Sequence, residues 1–251
     1  MDRGFFISGV AGDMTAHKLN TIAHNLANVN TTGYMLDRTA FSTMMANIAG
    51  TQTDPSKLPA SYMTMDHQFI SADKGILHQT GNDLDFAIRG DGYFQVLATG
   101  KNGEEKTAYT RAGNFHLDAD GTLVTESNFP VLDDSGNPVI LPRGRVSGNQ
   151  DGEIRVDNVL VAKLGLYEIK SMADVKKISG TLLETVDTNV TEAGNGITMH
   201  QGMLEGSNVN AVLMMVEMMQ NTRSNQSMMK VLEQYNQQES QITEKVGRVP
   251  G

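Results

Sequence analysis

The chain has 251 residues, enough for one or two domains with a core of their own. Its 20 Lys and Arg against 29 Asp and Glu give a net charge of −9, which argues against a surface for nucleic-acid phosphates. The absence of Cys excludes disulfides, thiolate nucleophiles and thiolate-bound zinc together, and no apolar run approaches the length of a lipid-embedded helix.

The charge is unevenly placed. Residues 1–34 and 206–251 are each neutral, so the whole excess of acid lies in 35–205. Both ends show helical spacing, whereas the middle is rich in turn dipeptides. The chain therefore reads as three parts with related ends.

Ser8 to Val29 reads as a helix, with Leu19, Ile22, Leu26 and Val29 stepping by 3, 4 and 3 along one seam. The run Asn28-Val29-Asn30-Thr31-Thr32-Gly33-Tyr34 then ends it in a turn. Pro55 and Pro59, among Thr and Ser, predict an extended linker across 35–74.

From residue 75 to 204 the pattern is that of an all-β unit. Leu84–Arg89 alternates, Gly90-Asp91-Gly92 turns, and Tyr93–Leu97 resumes, as in a hairpin. Further turns are expected at Lys101-Asn102-Gly103, Asp118–Gly121, Asp133–Asn137 and Gln150–Gly152, with one helical turn over Ser171–Val175. Gly90-Asp91-Gly92 lacks the third Gly of a dinucleotide fingerprint, since Gln95 stands there. Asp118-Ala119-Asp120-Gly121 lacks the Gly of a calcium loop where Leu123 stands, so local Asx-turn chemistry explains it better. The six His are scattered without metal-ligand spacing. The residues supply no catalytic motif, no cofactor fingerprint and no metal site.

The C-terminal segment, Asn208 to Val246, reads as a long helix. Nine of the eleven residues from Val209 to Met219 are apolar, so this stretch needs protein on nearly every side. One neighbouring helix cannot surround it. Three uncovered large side chains would forgo roughly 5–9 kcal/mol, comparable with the stability of a small domain, so further chains are expected to cover it.

The stretch Asn20-Thr-Ile-Ala-His-Asn25-Leu-Ala-Asn28-Val-Asn30-Thr-Thr-Gly33-Tyr34 resembles the N-terminal motif of the bacterial flagellar basal-body rod and hook proteins. Gly75-Ile-Leu77-His-Gln-Thr80-Gly81, Gly92-Tyr-Phe, Tyr109-Thr-Arg111-Ala-Gly113-Asn-Phe115 and Asp120-Gly121-Thr-Leu123-Val are similar to that family's β-domain motifs. So is Gly202-Met-Leu204-Glu205-Gly206-Ser-Asn208-Val-Asn210-Ala-Val212 before the last helix. Departures are Asp83, where the family often has Pro, and the missing aromatic after Arg223.

The resemblance implies an α+β architecture. Paired N- and C-terminal helices (1–34 and 205–251) would form a coiled-coil-like domain, D0, and residues 75–204 a central all-β domain, D1. It implies a structural subunit of the proximal rod, stacking helically with copies of itself and other rod proteins to transmit torque. It also implies a periplasmic place in the basal body, reached by type III export without a cleaved signal, and no cofactor. On this reading Leu19, Ile22, Leu26 and Val29 pack on Val209, Val212, Val216 and Met219 in the assembly interface, and Asn25, Asn28, Asn208 and Asn210 satisfy backbone groups at the helix ends. The alternatives are a distal rod or hook subunit, or an oligomeric cell-wall hydrolase with a coiled-coil stalk.

Overall fold

A computed structural model describes residues 3–45, 61–99, 103–192, 194 and 196–247. The chain opens with helix α1 (Arg3–Ala27) and closes with helix α2 (Ala211–Gly247). Between them run β1 (Asp37–Met45), β2 (Ser61–Ile70), β3 (Leu77–Gln79), β4 (Phe86–Arg89), β5 (Gly92–Thr99) and β6 (Glu105–Thr110). Next come β7 (His116–Leu117), β8 (Leu123–Val124), β9 (Val146–Gly148), β10 (Glu153–Val156), β11 (Val159–Lys163) and β12 (Leu166–Ile169). The last strands are β13 (Lys176–Ser179), β14 (Leu182–Glu184), β15 (Val190–Glu192), β16 (Thr198–Gln201) and β17 (Met203–Glu205). This is the α+β composition that the sequence pattern predicted, with a helix at each end and strands between.

The chain forms two compact units, one of residues 1–26, 38–68 and 210–251, the other of 27–37 and 69–209. In the first, α2 runs for 37 residues, on the order of 56 Å. The side-chain amide of Asn221 donates to the Thr15 carbonyl at 2.8 Å and so ties α2 to α1. β1 and β2 pair in a two-stranded sheet within the span expected to be a linker. The Pro-containing stretch 51–60, like Lys101 and Asn102, lies outside the described residues.

The second unit is built on a six-stranded antiparallel sheet in the order β13-β14-β6-β5-β12-β15. Strand alternation gives both faces of this sheet a core. Phe94, Val96 and Ala98 of β5 and Ala108 of β6 join Phe86, Leu123, Val131, Ile154 and Met199 in one cluster. Their odd-numbered neighbours Tyr93 and Tyr109 join Met35, Ile70, Ile169, Val175 and Leu183 in another. Phe94 and Phe115 meet edge to face at 5.1 Å in the larger cluster. Smaller sheets surround the main one: β11-β10-β9, β16-β4, β17-β3 and β7-β8.

Local turn chemistry follows the sequence closely. Asp118 Oδ1 accepts the backbone N–H of Asp120 and of Thr122, each at 2.9 Å. Asp133 Oδ1 accepts from Ser135 and Asn137 in the same way, and Asn149 Oδ1 from Asp151 and Glu153. The Asp118 oxygen that a calcium loop would use is thus occupied by its own backbone. A helical turn lies at Met172–Asp174, where the Ser171 hydroxyl accepts from the Ala173 N–H.

One expectation changes. Leu84–Leu97 is not a hairpin, because β4 pairs with β16 and β5 with β6 and β12. Gly90-Asp91-Gly92 is instead a corner between two sheets. Between β11 and β12 stands Gly165, where any side chain would strike the Tyr167 ring and the Asp133 carbonyl. Close approach recurs at Gly113, where a Cβ would lie 1.7 Å from the Phe86 carbonyl oxygen. Gly113→Ala is therefore expected to destabilise the full chain by about 3 kcal/mol. Gly12→Ala in α1, where a Cβ meets open space, is expected to be neutral or mildly stabilising. Urea unfolding of both variants, followed by tyrosine fluorescence, checks the contrast.

Candidate functional site

A buried polar cluster in the β unit centres on Arg111, whose side chain is 4% exposed, and Glu205, 5% exposed. Arg111 Nε donates to Glu205 Oε2 at 2.8 Å. Its remaining donors reach the corner between β4 and β5: Nη1 to the Gly92 carbonyl at 3.1 Å, and Nη2 to those of Gly90 at 2.8 Å and Ile88 at 3.4 Å. The guanidinium also lies 5.3 Å from the centroid of the Tyr93 ring. The planar fork of an Arg suits this fixed set of acceptors, which a Lys could not match.

Glu205 completes the arrangement. Its Oε1 accepts the Gly75 N–H at 2.8 Å, and its carbonyl accepts the Gly33 N–H at 2.8 Å. Gly33 has φ +65°, and a Cβ there would lie 2.3 Å from the Ala112 nitrogen, so the sharp turn after α1 seats directly on the backbone beside Arg111. Asn208 joins the same two segments, near Gly33 and Gly75, a few residues away. Its Oδ1 accepts the Leu36 N–H at 2.7 Å, and its Nδ2 donates to the carbonyls of Asp73 at 2.7 Å and Ser71 at 3.4 Å. The chain crosses between the two units four times. Residues on the β-unit side of all four crossings are thus bonded to one another.

A second polar group secures residues 34–37. Lys177 Nζ donates to the Met35 carbonyl, pairs with Asp37 Oδ1 at 3.0 Å and sits 3.8 Å above the Tyr34 ring. The Tyr34 hydroxyl donates to Asp37 Oδ2 at 3.3 Å. Burial pushes the Tyr34 phenol well above its ordinary value, and the Asp37 charge adds to this. Burial lowers the Lys177 ammonium, with Asp37 opposing.

The residues singled out in the sequence fall as follows. Ile22 and Asn25 are buried on α1, and Leu19 and Leu26 are partly buried. α1 ends at Ala27, so Val29 lies in the following turn and not on the helical seam. In that turn Asn28 accepts from Thr31 twice, at its side-chain oxygen and its carbonyl. Asn210 stands just before α2 and accepts the Leu213 N–H at 3.1 Å through its side chain. Val209 and Asn208 precede α2, and Asn208 bonds strand-side backbone instead of a helix end.

Val212, Val216 and Met219 are 72%, 40% and 55% exposed in the single chain. The less exposed stripe of α2 is Met214, Met218, Asn221, Asn225, Met228 and Leu232, with Asn221 holding Thr15. Nine apolar residues in eleven offer a helix more than one seam, and Asn221, bonded to Thr15, lies on the less exposed one. Arg111 and Glu205 appeared in the sequence only inside longer motifs. Their isolation as a charged pair amid apolar and Gly neighbours was the available signal.

The polar groups described here bind strands to one another, which is the chemistry of a structural module. The comparisons agree. Residues 14–34 match a family model described as flagella basal body rod protein, 87–205 one described as flagellar hook protein FlgE/F/G D1 domain, and 200–244 one described as flagellar basal body rod FlgEFG protein C-terminal. The flagellar basal-body rod protein FlgF of Rhizobium meliloti is 33% identical over 227 residues, covering 89% of each chain. That of Caulobacter vibrioides is 30% identical over 252 residues, covering 99% of this chain and all of its own. The rod protein FlgG of Bacillus subtilis is 33% identical over 251 residues, covering 90% of this chain and 91% of its own. The chain belongs to the flagellar basal-body rod protein family, and within it is of the FlgF type. It is a structural rod subunit of the flagellar basal body. This is not an enzyme family, and the hydrolase alternative finds no support.

Two measurements test the site. Arg111→Met leaves Glu205 buried without a counter-charge and is expected to cost about 3–5 kcal/mol, whereas Arg111→Met with Glu205→Gln costs less than the single change. Denaturant unfolding of the full chain reads both. For pH, the Tyr34, Tyr93 and Tyr167 phenols are all raised, chiefly by burial. A raised folded value contributes stability that is complete below pH 10.0 and lost as the pH climbs above it. Lys177, lowered in the folded state, works the other way as pH rises toward 10.5. Stability is therefore expected to fall above pH 10, and Tyr34→Phe to flatten the fall, in thermal melts taken between pH 8 and 11.

Proposed function

We propose that this subunit forms part of the proximal rod, stacking helically with copies of itself and with related rod proteins so that torque passes through packed terminal helices. The observation that supports this most directly is the bare apolar face of α2. Val212, Leu213, Met215, Val216 and Met219 are all exposed in the single chain. Covering five such side chains is worth on the order of 5 kcal/mol even if each is only half uncovered at the start. Unbranched Met side chains suit a surface that must meet related but non-identical neighbours. On this reading Leu19, Ile22 and Leu26 hold α1 against α2 within a subunit, whereas Val212, Val216 and Met219 serve the contacts between subunits. Val209 and Val29 lie at the helix approaches.

The neutral ends favour close packing of like on like, and the acidic middle resists lateral aggregation. The subunit acts in the periplasm and catalyses nothing. A distal position is the second reading, favoured by the FlgG relative at 33% identity over nearly its whole length.

Val216→Asp is expected to abolish rod assembly and motility while the β unit keeps its near-ultraviolet circular dichroism. A mutant strain that still builds rods refutes the packing role. Complementation of strains lacking either rod protein separates proximal from distal.

A further inference from the structure

The β unit carries two exposed features at opposite ends of one strand. β11 begins at a tight turn, Asp157-Asn158, both with positive φ (51° and 69°), which is the twist that joins β10 to β11. Immediately past it Val159 and Leu160 are 66% and 54% exposed on the sheet edge. The preceding loop packs beside this turn, with the Arg145 N–H donating to Asp157 Oδ1 at 3.1 Å. Arg143 and Arg145 are exposed, and neither forms an ion pair among the described residues. Two exposed aliphatic side chains of an edge strand thus lie beside two exposed arginines.

The other end of β11, about 13 Å along the strand, opens into a cavity of about 570 Å³. Asp134, Asp151 and Glu192 line it with Lys163 as the one base, and Leu166, Ile197 and Tyr167 supply apolar wall. The field there is negative: Glu192, Asp134 and Asp133 add to burial in raising the Tyr167 phenol.

We infer that the β units of successive subunits bind head to tail, the Arg143/Arg145/Val159/Leu160 tip of one copy entering the Asp134/Asp151/Glu192/Tyr167 cavity of the next. The occupant is a second copy of this chain. A guanidinium suits carboxylates and a tyrosine face together. The cavity also has room and apolar wall for the two aliphatic side chains. The contact joins different patches of identical chains, so it does not close on itself as a twofold pair does, and its repetition generates a ring or an open helix. In an acidic chain, apposed β units repel unless a basic patch meets an acidic one. The inference rests on the proposed helical assembly and adds to it a second contact outside the terminal helices.

The chain has no Cys, so engineered thiols report single contacts. Leu160→Cys and Ser135→Cys full-length chains, mixed under mild oxidation, are expected to give a mixed disulfide dimer. Neither variant alone is expected to cross-link appreciably. Adding Arg143→Glu and Arg145→Glu to the first chain lowers the yield at least tenfold, and Asp134→Arg with Glu192→Arg in the second restores it. Val216→Cys is run alongside as a report on the helices. If Val216→Cys chains cross-link and the mixed pair does not, the head-to-tail contact is overturned while the proposed assembly stands. Homotypic cross-links of Leu160→Cys without the mixed product overturn it in favour of paired sheet edges, and failure of both reactions overturns both readings.

Discussion

The buried pairing of Arg111 with Glu205 is the interaction on which the rest of the molecule depends. Ninety-four residues separate the partners, and each also bonds backbone from other segments. Arg111 fixes the corner between β4 and β5 through three carbonyls, and Glu205 receives the turns at Gly33 and Gly75. Two charges removed from water are costly to hold, and replacing such a pair with apolar groups of the same shape is often neutral or stabilising. Its value here is positional. A greasy substitute has no donors for the corner and no acceptor for Gly75, whereas the ion pair fixes one register for segments that otherwise meet only as short strands.

That register matters because the sheets around the corner are small. β3 pairs with β17 and β4 with β16 over only three or four residues each, too little to specify alignment alone. Asn208 and the Lys177–Asp37–Tyr34 group add constraint at the neighbouring crossings. Residues 33–37 and 205–208 are therefore held within the β unit by directional polar bonds, while that unit keeps its stability in two apolar clusters on opposite faces of the main sheet. Specificity and stability are supplied by different residues.

The parts legible in the sequence were those set by short-range chemistry. Turns at Asp118, Asp133 and Asn149 follow from side chains that accept from their own backbone two and four residues on. The alternation of β5 and β6 follows from strand geometry, and the length of α2 from the lack of any helix breaker before Pro250. Long-range pairing was not legible. Nothing near Leu84–Leu97 says that β4 turns from β5 to meet β16, because its partner lies about 110 residues later. The helix seam was half legible: Leu19, Ile22 and Leu26 fall on the covered side of α1, but the apolar richness of Val209–Met219 hid which stripe of α2 meets it. Asn221, bonded to Thr15, marks the less exposed stripe. The family motifs located Arg111, Glu205 and Asn208 without revealing that Glu205 pairs with Arg111 and shares with Asn208 the segments at 33–36 and 71–75.

The tying of all four crossings has a consequence for how the polypeptide responds to being cut. The segments before β1 and after β2 are each bonded separately to the β unit: Leu36 and Gly33 on one side, Ser71 and Gly75 on the other. A protease nick anywhere between β1 and β2 would sever the sequence and leave both pieces seated, the leading piece by Gly33, Leu36 and Tyr34, the trailing piece by everything from Ser71 onward. Continuity of the backbone and continuity of the folded body are separate properties in this subunit, and only the second is needed to keep its two ends in register.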